Sequence, residues 1–371
     1  MGMRVIVVGG GTSGHVNPAI SIANEIRRRN SSAEILFIGT PNKIEADLVP
    51  KAGYKIEFIE VTGLNRRKSF KAYKYNIKSI WKFFAAKQKV KKIIKIFKPD
   101  IVIGTGGYVS APVMDTAAKI GIKTVIHEQN AFAGVTTKML ANKVDKVLLS
   151  FVLSNELNCD KSKTVIVGNP VRQDFWEQNR IDARKKLGIS EDEHVVLSTG
   201  GSLGARVVNE AFCEMAVLSS RENLINIYHS ASRDYAYVTD KLKDIDLNKI
   251  HITEYIYNMS EIMAAADLII NRSGASTLCE IAAMGKPSIL IPSPNVTENH
   301  QFYNAKNFVD AGAAIMIEEK DLNGRVLYEL TRELVWDKRK LYNMGENAKK
   351  LAQPKAAENI YSEIMEVYNK K

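Results

Sequence analysis

Residues 4–19, RVIVVGGGTSGHVNPA, run from an apolar strand straight into a glycine-rich turn. Gly9, Gly11 and Gly14 fit the G-x-G-x-x-G spacing of a dinucleotide-binding turn. In such a site the second strand ends on a carboxylate that holds a ribose. Here the second strand candidate closes on Gly39-Thr40, which argues against NAD or FAD. The glycines still let the backbone turn sharply and come close to a ligand at a helix N-terminus. His15, at the start of that helix, would then project toward the ligand. The plain alternative is a tight strand-to-helix turn with His15 as a surface or cap residue.

Outward from this turn, short apolar runs alternate with amphipathic segments. Strand candidates lie at 4–9, 35–39, 56–60, 100–104, 123–127 and 145–149, with helical patterns at 17–29, 70–97 and 112–120. The pattern restarts after VIVGNPVR (165–172), with strand candidates at 194–199, 225–229, 250–253, 267–270, 288–291 and 314–317. Alternation of this kind predicts parallel sheets covered by helices on both faces. The expectation is an α/β protein of two doubly wound, Rossmann-like domains around a central cleft. The first domain would span 1–163, joined by a final helix at 355–371, and the second 164–354. Further glycine loops, GTGGYVSAP (104–112) and GGSLGA (200–205), should face the same cleft.

The 371 residues suffice for two cores. Three cysteines, Cys159, Cys213 and Cys279, form neither a metal-binding nor a disulfide spacing, which suits a reducing compartment. No signal-peptide pattern precedes the first strand, and no apolar run reaches the roughly 18 residues a membrane span needs. No metal-ligand spacing, nucleophile elbow or P-loop is present. The expectation is a soluble protein without a metal or cofactor.

The second half carries the stronger anion site. RSGASTLCE (272–280) follows a strand and opens a helix. Ser273 to Thr277 would offer backbone N–H groups and hydroxyls to a diphosphate at the helix N-terminus. Glu280 lies four residues after Ser276, where a carboxylate repels phosphate but accepts from both ribose hydroxyls. A nucleoside diphosphate fits both demands. The alternative is that the small residues only allow helix–sheet packing. HEQN (127–130) puts four polar residues at a strand's end, some facing the cleft and others bracing loops.

These segments, with GNPVR, TEYI and NHQFYNA, occur in the order seen in the MurG family, which the chain resembles over nearly its whole length. The resemblance implies the GT-B fold and transfer of N-acetylglucosamine from UDP-GlcNAc to the muramyl 4-hydroxyl of lipid I, giving lipid II for peptidoglycan. It implies a donor site of Ser202, Ile256 with its backbone toward uracil, Arg272, Ala275, Ser276, Thr277, Leu278, Glu280 and Gln301. Thr12, Ser13, Gly14, Asn130 and Arg172 match further sugar-nucleotide contacts; His15, Tyr108 and His127 match acceptor-side positions. His15 is the expected general base, an imidazole being suited to proton transfer near neutrality. Glu128 is its rival. Where the family has Thr-Gly-Gly before the histidine, this chain has Thr12-Ser13-Gly14, and a positive φ at Ser13 would be strained. Another UDP-sugar glycolipid transferase is the alternative enzyme, and a binding protein without turnover the alternative class.

One segment accounts for the basic charge. Between Arg66 and Lys98 stand 13 Lys and Arg with no acidic residue, and subtracting them from the net +11 leaves −2. Phe70, Tyr73, Ile77, Ile80, Trp81 and Phe84 share one helical face; Phe83, Ala86, Val90, Ile94 and Phe97 share another. The second stripe leads into a strand and should be the core face. The first is then apolar surface among lysines, the pattern of an interfacial helix. Docking to an anionic inner-leaflet surface, at the cytoplasmic face of a bacterial membrane, is the expectation, with cell-wall or division machinery as further partners. Cations alone also suit nucleic acid, but no nucleic-acid motif accompanies them.

Overall fold

The computed structural model describes residues 2–63, 69–201 and 204–370. Ser202 and the basic run 66–68 lie outside the described residues. The chain forms two compact units, Met1–Pro170 with Lys355–Lys371, and Val171–Pro354.

The first unit holds seven parallel strands: β1 (Arg4–Val8), β2 (Glu34–Gly39), β3 (Lys55–Phe58), β4 (Ile101–Gly104), β5 (Lys123–Glu128), β6 (Lys146–Leu149) and β7 (Thr164–Ile166). Their order is β3-β2-β1-β4-β5-β6-β7. The second unit holds β8 (His194–Thr199), β9 (Ile225–Ser230), β10 (Ile250–Thr253), β11 (Leu268–Asn271), β12 (Ser288–Leu290) and β13 (Ala314–Met316). These are also parallel, in the order β10-β9-β8-β11-β12-β13.

Successive side chains of a strand point to opposite faces, so a sheet covered on both sides needs apolar residues at every position. Val5 and Val7 pack with Val16, Ala19, Ile22 and Ile26 of the Ser13–Arg29 helix and with Ile360 and Ile364 of the Ala356–Asn369 helix. Ile6 and Val8 face the other way, onto Val90 and Ile94 of the Phe70–Phe97 helix and Val113 of the Ser110–Lys119 helix. Lys146 binds the carboxylates of Glu363 and Glu366, fastening the last helix to the first sheet. In the second unit Val196, Ile227 and Ile270 pack against Val208, Phe212 and Leu327 from the Arg206–Glu222 and Gly324–Trp336 helices.

The change-over between units comes after Pro170 rather than near residue 163, because 164–166 extend the first sheet, pairing with β6. The Phe70–Phe97 helix has the two faces its sequence requires. Ala86, Val90 and Ile94 are buried, while Ile77, Ile80, Trp81 and Phe84 are exposed, Trp81 by 74%. Among the described residues no helix is long and apolar enough to cross a membrane.

Asp115 fastens this helix to its neighbours. Its buried carboxylate takes Lys87 at 2.5 Å, Lys143 at 2.9 Å and Lys119 at 3.3 Å. Burial opposes ionisation, but the lysine hydrogen bonds outweigh it and hold the carboxyl below its usual range. A depressed carboxyl stabilises the fold above its unfolded pKa of about 4 and loses that effect as pH falls toward the folded value. We predict that Asp115→Asn lowers unfolding stability by about 3 kcal/mol at pH 7, and by less at pH 3, in denaturant titrations. Equal midpoints for mutant and parent at pH 7 would contradict this account of the cluster.

Candidate active site

Strand order reverses between β1 and β4 in the first sheet, and ligands of doubly wound sheets bind at the carboxyl ends beside such a reversal. The loops leaving β1 and β4 meet there. Thr105 Oγ1 donates to the His15 carbonyl at 2.7 Å. Gly106 has φ +101°, and a Cβ on it would stand 2.9 Å from His15 Nδ1, so only glycine lets the loop close on the imidazole. Glu45, fully buried, accepts from Gly11 N–H at 2.9 Å, from Thr40 N–H at 3.1 Å and from Thr40 Oγ1 at 2.6 Å. A carboxylate therefore does reach this turn, from five residues beyond Thr40, and it occupies a donor that a dinucleotide would use. Thr12 is extended at φ −144° and Ser13 opens the helix. The positive φ of the turn falls on Gly11, at +88°, so the serine in place of glycine carries no strain.

His15 Nδ1 lies 3.0 Å from the Thr105 carbonyl and 2.9 Å from Gln129 Oε1. Both are acceptors, so Nδ1 carries the proton and donates to them. Nε2 has no partner among the described residues. In HEQN, three of the four residues turn inward. His127 is completely buried, with Nε2 donating to the Gly168 carbonyl at 2.9 Å and Nδ1 accepting from Gln129 Nε2 at 3.0 Å. Burial pushes the His127 imidazole below its ordinary pKa, toward the neutral form. It cannot touch an acceptor directly, which corrects its assignment as a contact. Glu128 is buried too. Oε1 accepts from the N–H and Nδ2 of Asn130, both at 3.1 Å. Oε2 accepts from Gly134 N–H at 3.0 Å and Thr137 Oγ1 at 2.5 Å. Four donors saturate this carboxylate, so it braces the loop and is no rival base. Asn130 and Tyr108 are half-buried beside the site, with the Tyr108 ring next to Gly11. Thr105 and Glu45 were not among the expected site residues, and Gln129 was expected only as a member of HEQN.

In the second unit the reversal lies between β8 and β11. The chain leaving β11 enters the Ala275–Met284 helix after Gly274. Ala275, Ser276 and Thr277 have N–H groups without acceptors among the described residues, and the first turn holds no acidic side chain. Such a turn attracts anions. Among the described residues Ser273 Oγ is buried without a partner, while Asn304 Nδ2 holds the Ser273 carbonyl at 3.0 Å. Glu280, one turn further on, has no hydrogen-bond or ion-pair partner among the described residues. Desolvation pushes its carboxyl up to about 7, against the pull of the Arg172 charge. Arg172 itself is exposed and pairs with Asp174 at 3.1 Å.

Two expected donor contacts are otherwise engaged. Arg272 pairs with Glu319 at 2.7 Å and donates to the Ile291 carbonyl at 3.1 Å, bracing the strand ends. Leu278 is wholly buried and its side chain belongs to the core. Ile256 is also buried, leaving its backbone for contact, and Gln301 Oε1 accepts from Ser293 N–H at 2.9 Å. Among the described residues no cluster of His, Cys, Asp and Glu suits a metal ion.

Residues 5–149 match the glycosyltransferase family 28 N-terminal domain and residues 195–360 the family 28 C-terminal domain. The chain is 42% identical to the UDP-N-acetylglucosamine–N-acetylmuramyl-(pentapeptide) pyrophosphoryl-undecaprenol N-acetylglucosamine transferase of Acetivibrio thermocellus, over 100% of this chain and 99% of that one. A transferase of the same name from Clostridioides difficile is also 42% identical, over 99% of this chain and 90% of its own. The crystal structure of Acinetobacter baumannii MurG superposes with a TM-score of 0.78 at 26% identity, covering 98% of this chain and 99% of that one. The calicheamicin glycosyltransferase CalG4, at 15% identity and a TM-score of 0.70 over 98% of this chain and 99% of its own, shares the fold. Two parallel-sheet units of this order make the GT-B fold, and the chain belongs to the MurG family within glycosyltransferase family 28.

Proposed function

We propose that the chain moves N-acetylglucosamine from UDP-GlcNAc to lipid I, giving lipid II and UDP. The observation that carries this reading is one helix with an open N-terminal turn and, one turn on, the unpartnered Glu280. The turn suits a diphosphate and the carboxylate a ribose diol. Ser276, Thr277 and Ser202 supply further hydroxyls, the Ile256 backbone faces the uracil, and Gln301, Asn130 and Arg172 contact the sugar nucleotide. The names of the full-length relatives support the choice of acceptor.

The muramyl hydroxyl attacks the anomeric carbon, a C–O bond forms there, and the bond to UDP breaks with inversion. Nε2 of His15 takes the hydroxyl proton. Charge developing on UDP is met by the N–H groups of Ala275 to Thr277 and by the helix dipole. Thr12, Ser13 and Gly14 join the sugar-nucleotide contacts, and Tyr108 lies on the acceptor side.

Lipid I is membrane-bound, so the enzyme must dock. The exposed Ile77, Ile80, Trp81 and Phe84, flanked by Lys74 and Lys78, with Lys82 paired to Glu60 at 3.2 Å, suit insertion at the cytoplasmic face of the membrane. Each lysine near an anionic surface adds about 1 kcal/mol.

Three outcomes are expected. A carboxyl raised to about 7 must lose its proton to accept from two ribose hydroxyls. UDP-GlcNAc binding should therefore tighten as pH rises through 7 and release a proton, in calorimetry run in buffers of different ionisation enthalpy. Glu280→Gln should remove the proton release and weaken binding roughly 10- to 100-fold; unchanged affinity would remove Glu280 from the site. In initial-rate assays His15→Ala should lower kcat by about 10² or more while the donor KM stays within a few-fold. Near-parental turnover would end the base assignment. In vesicle flotation, Trp81→Ala with Phe84→Ala should abolish binding to anionic liposomes; binding equal to the parent's would exclude this face.

A further inference from the structure

We propose that Gln129 is a positioning residue that fixes the tautomer of His15, and that His127 in turn fixes the orientation of Gln129. The proposal rests on the reading of His15 as the base. A base must present a bare nitrogen to its substrate. A free neutral imidazole favours the proton on Nε2, which is the wrong nitrogen for a ring whose Nδ1 points into the protein.

The geometry reverses that preference. His15 Nδ1 stands between two acceptors, the Thr105 carbonyl at 3.0 Å and Gln129 Oε1 at 2.9 Å. The proton belongs on Nδ1, and the Nε2 lone pair is left for the substrate hydroxyl. Gln129 adds to the pull of the Thr105 carbonyl only while it turns its oxygen, and not its NH2, toward His15. The other end of the amide decides the matter. Gln129 Nε2 faces two acceptors of its own, the His127 carbonyl at 2.9 Å and His127 Nδ1 at 3.0 Å. A flipped amide would set oxygen against oxygen there.

His127 Nδ1 is itself an acceptor because its proton sits on Nε2, where it donates to the Gly168 carbonyl at 2.9 Å. Ser150 Oγ, at 3.3 Å from the same nitrogen, does not change that assignment. His127 and Gln129 are both buried, so water does not compete for these bonds. The two histidines thus hold opposite tautomers, coupled through one amide. The chain Gly168–His127–Gln129–His15 starts at a backbone carbonyl and ends at the bare Nε2. A buried histidine that cannot meet substrate has a role in this arrangement, and so does the third residue of HEQN.

Nitrogen-15 NMR of the full chain, labelled at its six histidines, reads the tautomers directly. The His15 signals are identified by their loss in His15→Gln. Above pH 8 the parent should show His15 protonated at Nδ1 and bare at Nε2. A His15 ring protonated mainly at Nε2 would overturn the proposal without any further variant. Gln129→Leu removes one of the two acceptors and should move part of the population to the Nε2–H form. Its kcat should fall about tenfold, with the UDP-GlcNAc KM within about twofold. A His15 spectrum identical to the parent's would overturn the positioning role. Gln129→Glu keeps an acceptor toward His15 and should retain the Nδ1–H form; its loss there would count equally against the proposal. If the tautomer shifts in Gln129→Leu while kcat holds, the positioning role stands and His15 is not the base.

Discussion

A doubly wound parallel sheet must reverse its strand order once, and at that reversal neighbouring strands send their chains to opposite faces. This constraint positions both candidate sites. At β1/β4 it brings the two glycine loops into contact, so that a Cβ on Gly107 would lie 2.2 Å from the Gly10 carbonyl. His15 sits where those loops touch, with Thr105 on its carbonyl and the Gly106 backbone against its ring. At β8/β11 the same reversal exposes the first turn of the Ala275–Met284 helix. Neither site requires a special fold, only short loops and small residues at the reversal.

The inward-facing carboxylates divide by what they touch. Glu45, Glu128 and Asp115 are each held by three or more donors inside their own unit. They cost desolvation and recover it through hydrogen bonds. Among the described residues Glu280 has no such donors, and desolvation raises its carboxyl to about 7. A raised carboxyl weakens the fold as pH climbs from the ordinary carboxylate value toward 7, so protein stability alone gives no reason for the residue. The satisfied groups hold the loops in place.

Much of this was legible in the sequence. Continuous apolar runs such as RVIVV and IVIG, separated by helical patterns, announce parallel strands buried on both faces, and the two stripes of residues 70–97 separate core from surface. RSGASTLCE places small residues at a helix start and a carboxylate one turn on, and the helix does begin at Ala275. Other features were hidden for physical reasons. β7 is three residues long and merges with the run that reopens the pattern. Alternation shows that members of HEQN face opposite ways, but not that Glu128 finds four donors or that His127 is sealed by Gly168, 41 residues away. Arg272 counts among the implied donor contacts until Glu319, far along the chain, claims its guanidinium. Glu45 reaches the first turn from a helix whose sequence carries no sign of it. Tertiary partners decide which polar residues are free, and short-range patterns do not record them.

The most direct measurement is UDP release from UDP-GlcNAc by the purified chain, with and without a short-chain lipid I analogue. Release that requires the analogue, with a disaccharide lipid as co-product, is the predicted result. Firm UDP-GlcNAc binding with no analogue-dependent release would contradict the assignment of the acceptor, and an absence of UDP-GlcNAc binding would contradict the donor site as well.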